Sequence, residues 1–109
     1  MGKKLQCKVS EALAKDIGLI MIQTDKKKGA TLLVLVKLAL DNQDHPSRNY
    51  GSSEVGNCTL ELSDKEWDRS KAYRQHHNLT AKTSFFRDAL ARGASVYLDS
   101  KSSHGRSKS

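Results

Sequence analysis

The chain is poor in the features that commit a protein to a membrane, a disulfide framework or a metal. No apolar run approaches the ~20 residues that cross a bilayer. The greasiest short stretch, residues 17–22, has an acid and lysines around it, which favours a buried helix. Behind the basic start Met1-Gly-Lys-Lys, the residues Leu5-Gln-Cys-Lys supply no hydrophobic core for a secretory leader. There are only two cysteines, Cys7 and Cys58, each on the apolar side of an alternating segment. That position reads as buried free thiols and points to a cytoplasmic protein. The four histidines, His45, His76, His77 and His104, make no HxxxH spacing, and the cysteines make no CxxC. Adjacent His76 and His77 on a helix would point about 100° apart, so they read as surface groups near a helix end. A phosphate-binding glycine loop and a Gly-x-Ser-x-Gly elbow are also missing. We therefore expect no enzyme, no catalytic residue, no metal and no cofactor. The one proline, Pro46, lies in residues 41–56, which are rich in Gly, Asn, Ser and Asp and without periodicity. This stretch reads as a linker of about 16 residues.

Around that linker, two segments share a pattern. In the second, Cys58, Leu60 and Leu62 alternate with Asn57, Thr59 and Glu61, which predicts a short strand. Ser63 with Glu66 three residues on is a capping box opening a helix, and Asn78 suits its left-handed end. Thr80 is placed to cap a second helix, in which Phe85, Phe86, Ala89 and Leu90 share one face. Trp67 reads as a core anchor of the first of these helices. In the first segment, Leu5, Cys7 and Val9 alternate with Lys4, Gln6 and Lys8. A helix over about 11–23 follows, burying Leu13, Ile17, Ile20 and Met21, and a second over about 30–41. Gly18 inside the first costs ~1 kcal/mol against alanine, which close packing would explain. Ser10 matches Ser63 at an offset of 53, and Lys37, Ala39 and Leu40 match Arg87, Ala89 and Leu90 at 50. The extra residues of the first copy fall most easily at the basic turn Lys26-Lys-Lys-Gly29.

Strand, helix, turn, helix in about 38 residues is too little to fold alone, so each copy needs the other. The second helix of copy two, Leu79-Thr-Ala-Lys-Thr-Ser-Phe-Phe-Arg-Asp-Ala-Leu, resembles the second-helix signature of the ribbon-helix-helix (MetJ/Arc) family of DNA-binding proteins. The resemblance covers roughly residues 4–40 and 57–94, and the tandem arrangement resembles the TraY-type accessory proteins of plasmid conjugation. It implies a mainly α fold with a two-stranded antiparallel β-ribbon, in the order β-α-α-linker-β-α-α, forming an intrachain pseudo-dimer. The first copy would span 1–40, the linker 41–56 and the second copy 57–94. Residues 95–109 would hold a short apolar piece, Ser95–Leu98, as a last helical turn or docking segment, then a basic, serine-rich disordered tail.

The formal net charge of +7 divides into +3 over residues 1–56 (9 basic, 6 acidic) and +4 over 57–109 (10 basic, 6 acidic). That balance favours a polyanionic partner. The family's ribbon lies in the major groove of double-stranded DNA, which here would bring Lys4, Gln6, Lys8, Thr59 and Glu61 to base edges. Lysine donates to guanine, glutamine pairs with adenine, and glutamate accepts from cytosine. Glu61 is unusual on a DNA-facing surface and could instead pair across the ribbon with Lys8. Amides at the start of each second helix, around Ala30–Thr31 and Ala81–Lys82, would hold phosphates. Lys28 and Lys82 sit beside them, and Thr80 belongs to the same group. Val34 and Leu38 correspond to Ser84 and Asp88 and look surplus to the core face. They mark either a second contact surface, against the linker or C-terminal segment or against another copy on an adjacent DNA subsite, or simply a fully buried helix. The functional expectation is sequence-specific DNA binding, as a repressor or a plasmid or phage DNA-processing factor. The alternative is a protein–protein adaptor or antitoxin-like module whose basic face is incidental.

Overall fold

The computed structural model describes residues 2–51 and 53–107, with side chains to residue 100. Two seven-residue strands, β1 (Lys3–Val9) and β2 (Gly56–Leu62), pair antiparallel as one two-stranded sheet. Four helices complete the order β-α-α-β-α-α: α1 (Glu11–Thr24), α2 (Lys28–Asp41), α3 (Asp64–His76) and α4 (Lys82–Ser107). Alternation does what it should in both strands. Leu5, Cys7, Val9, Cys58 and Leu62 are buried under the sheet, and Leu60 is half-buried. Lys4, Gln6, Lys8, Asn57, Thr59 and Glu61 are exposed on the other face.

The helix ends follow their local chemistry. Ser10 caps α1 by accepting from the Leu13 N–H at 3.2 Å. Ser63 caps α3 through a complete capping box with Glu66, whose carboxylate also lies 3.5 Å from Lys37. Burial works to raise the Glu66 pKa, but the Ser63 hydroxyl and amide and then Lys37 outweigh it and hold it low. Asp25 (φ 53°) ends α1 and Asn78 (φ 57°) follows α3, both left-handed. α4 begins at Lys82, with the Phe85 N–H donating to the Ala81 carbonyl at 3.0 Å, so Thr80 lies outside its first turn.

α2 and α4 pack on each other beneath the sheet and form the centre of the core. Leu32, Leu35, Val36 and Ala39 meet Phe85, Phe86, Ala89, Leu90 and Ala94, all fully buried. Trp67 is half-buried at the margin, edge-on to Phe85 at 5.7 Å with the Arg74 guanidinium 4.0 Å over its ring. Tyr73 is fully buried, and its hydroxyl donates to Asp88 and accepts from Arg92 Nε at 2.8 Å. Burial and then Asp88 push its pKa well above the usual phenol range.

The expected tandem ribbon-helix-helix pseudo-dimer is corrected by this arrangement. The order of elements fits that layout, but the halves are not equivalent copies: α4 has 26 residues against 14 in α2. The second-helix pattern does not stop near Ala94. Ala94 and Ser95 are buried, and Tyr97 and Leu98 pack on the core. Residues 99–107, read from the sequence as tail, continue the helix, while 108 and 109 lie outside the described residues. The segment between α2 and β2 docks against α1, α3 and α4, and its contacts with the far part of α4 carry that helix past Ala94. The Arg48 N–H donates to Ser95 Oγ at 2.8 Å, and the Arg48 guanidinium and His45 hold the Asp99 carboxylate at 2.7 and 2.9 Å. These two partners keep the Asp99 pKa below the usual carboxylate range. Tyr50 donates to Asp16 at 2.8 Å, and the Arg92 guanidinium donates to the His45 carbonyl. Among the described residues, no helix is long and apolar enough to cross a membrane.

Candidate nucleic-acid interface

The register sets the exposed sheet face as three opposite pairs: Lys4 with Glu61, Gln6 with Thr59, and Lys8 with Asn57. All six side chains are polar and exposed, and two neighbouring strands are narrow enough to enter a ~12 Å major groove. The five base-contact candidates, Lys4, Gln6, Lys8, Thr59 and Glu61, therefore share one surface, and Asn57 joins them. Glu61 faces Lys4 across the ladder, so the pairing with Lys8 expected from the sequence is corrected to Lys4. Opposite charges directly across a sheet stabilise it modestly.

At the Lys8–Asn57 end, cations from two helices cap the outer edges of the sheet. Lys28 Nζ donates to the Asn57 carbonyl at 2.6 Å, and Arg87 Nε donates to the Lys8 carbonyl at 3.0 Å. Arg87 also pairs with Glu54 at 2.8 Å. Edge carbonyls left open would invite another strand; here they orient positive charge beside the exposed face. Sequence reasoning missed Arg87 and Asn57. The Arg87 contact spans 79 positions, which no local pattern reveals, and Asn57 was legible only as an outward strand residue.

The phosphate candidates divide. Lys28 opens α2, and with Gly29 and Ala30 it supplies the amides that have no acceptor inside the helix. Thr31 does not belong with them. It is fully buried, and both its N–H (2.9 Å) and its hydroxyl (3.0 Å) donate to the Lys27 carbonyl. In α4 the corresponding amides start at Lys82, so Thr80 and Ala81 precede them; all three residues are exposed. Val34 and Leu38 are both half-buried. Leu38 packs on the core, which accounts for it without a second molecule.

The paired histidines are held by groups of the protein itself. His76 lies 3.0 Å from Asp44, and His77 2.9 Å from the Gln43 carbonyl. Among the described residues no three metal-ligating side chains cluster. Cys7 and Cys58 are free, buried and directly opposite each other. Burial and then Cys58 push the Cys7 thiol up to about 12, with Arg87 opposing. Burial also raises Cys58, with Lys28 opposing. Both stay neutral thiols packed as small apolar groups. Comparison with protein-family models, curated proteins and solved structures finds no match to this chain.

Proposed function

We propose that the protein binds double-stranded DNA in a sequence-dependent way, laying the exposed face of its two-stranded sheet in the major groove, and acts as a repressor or a DNA-processing accessory factor. The observation that carries this reading is the sheet face itself: six exposed polar side chains in register, with cations from α2 and α4 fixed at one end. The overall charge of +7 agrees with it. So does the resemblance of residues 79–90 to the second helix of the ribbon-helix-helix family. Lys4, Gln6, Lys8, Asn57, Thr59 and Glu61 read bases, and Lys28, Ala30 and Lys82 hold phosphates.

The test separates the two kinds of contact. On a bound duplex, Gln6→Ala and Lys8→Ala each reduce discrimination against the wrong base by ~1–3 kcal/mol. Lys28→Ala weakens all sequences alike, because a phosphate contact carries no sequence information. Competition binding with single-base variants of the site measures both. Unchanged discrimination in the Gln6 and Lys8 variants would remove the sheet from the interface. A protein–protein adaptor is the second reading, favoured by Ile22 and Leu19, which stand 80% and 43% exposed on α1.

A further inference from the structure

Close packing does not explain Gly18. A Cβ built there meets nothing within 4 Å, so this helix-interior glycine leaves room instead of filling it. The room opens into a pocket of about 150 Å³ between the end of the sheet, α1 and the start of α2. Its walls are Val9, Ala14, Ile17, Met21 and Cys58, with Gly56 opposite α1. β2 lies close against this wall: a Cβ at Gly56 would meet Val9 Cγ2 at 3.2 Å and Ala14 Cβ at 3.3 Å. Of the described lining residues only Lys28 is charged. Its ammonium is held by the neutral Asn57 carbonyl at 2.6 Å, with no carboxylate paired to it among the described residues. An apolar chamber with one fixed cation selects a ligand that is apolar at one end and anionic at the other.

We propose that this pocket binds a small apolar carboxylate of benzoate size, with its ring against Val9, Ile17 and Met21 and its carboxylate on Lys28. The size follows from the volume, since aliphatic cavities near 150 Å³ accept a benzene ring. The carboxylate follows from Lys28. The inference holds whether or not the sheet face reads bases, although it uses the same Lys28 ammonium that is proposed above as a phosphate contact.

The probes are benzoate, benzyl alcohol and benzene, titrated into the full chain and followed by methyl NMR. All three are expected to shift the methyls of Val9, Ala14, Ile17 and Met21 saturably. Benzoate should bind about three- to five-fold more tightly than benzyl alcohol, the worth of a partly exposed ion pair. Lys28→Met keeps the apolar stem and should remove that preference while benzyl alcohol still binds. Gly18→Leu should fill the chamber and abolish binding of all three, in a protein whose remaining methyl spectrum stays native. Absence of saturable shifts for every probe overturns the site. Binding without a Lys28-dependent preference for benzoate overturns the carboxylate assignment, and binding that survives Gly18→Leu in a folded protein places the ligand elsewhere.

Discussion

Gly93→Ala is expected to cost ~3 kcal/mol or more, the upper end of what overpacking a core does. α4 crosses α2 at this residue so closely that a Cβ would lie 2.0 Å from the Leu35 carbonyl oxygen, 2.6 Å from its carbon and 2.8 Å from its Cα. These are backbone atoms of a helix whose neighbouring side chains, Leu32, Val36 and Ala39, are fully buried against α4. No flexible side chain can yield, so the helices must separate and the Phe86, Ala89 and Leu90 contacts open with them. A loss of this size lowers the melting temperature by roughly 15 °C in a domain of about 100 residues. Gly18→Ala is the control. It makes the same chemical change in a helix interior but in open space, and should raise stability by up to ~1 kcal/mol. Urea unfolding of the two variants beside the parent protein measures both. Equal effects at the two positions would contradict the close crossing of α2 and α4.

DNA affinity is expected to fall by about two orders of magnitude between 50 and 200 mM salt. Each neutralised phosphate contributes a slope of ~−0.9 to log K against log salt, and roughly four such contacts give this loss over a four-fold change. Four is a modest number for a surface that sets Lys28, Lys82 and the helix-start amides around Ala30 beside the base-reading Lys4 and Lys8. Binding through Leu19 and Ile22 would respond in the opposite way. An apolar interface holds or tightens as salt rises, because no counterions are released. Titration of a labelled duplex at several salt concentrations reads the slope directly. A flat dependence would favour the adaptor over the DNA-binding reading.

Much of this architecture is written locally. Period-two alternation locates both strands and tells the exposed residues from the buried ones, and Ser10, Ser63 with Glu66, and Asn78 mark helix ends. The apolar faces of α2 and α4 follow from 3.6-residue spacing alone. What the sequence hides is what long-range contacts decide. α4 runs past Ala94 because Ser95 and Asp99 find Arg48, 47 and 51 positions away. Gly93 is the point where α4 touches the α2 backbone, which no local pattern marks. Glu61 could be assigned to Lys4 only once the register was fixed, since both lysines of β1 offer the same charge. Thr31 looked like a helix-start residue until the turn proved to begin three residues earlier, at Lys28. In the candidate site, the strand residues were legible and the cations that frame them were legible only in part. Lys28 belongs to a visible basic run; Arg87 reaches the sheet from a distant helix.

The most direct test of the DNA-binding account is selection from a random duplex pool at 150 mM salt, with sequencing of what stays bound. Lys4, Gln6 and Lys8 on one strand differ from Asn57, Thr59 and Glu61 on the other. Such a ribbon should enrich a short asymmetric motif. A pool that emerges with no enriched sequence would contradict this reading.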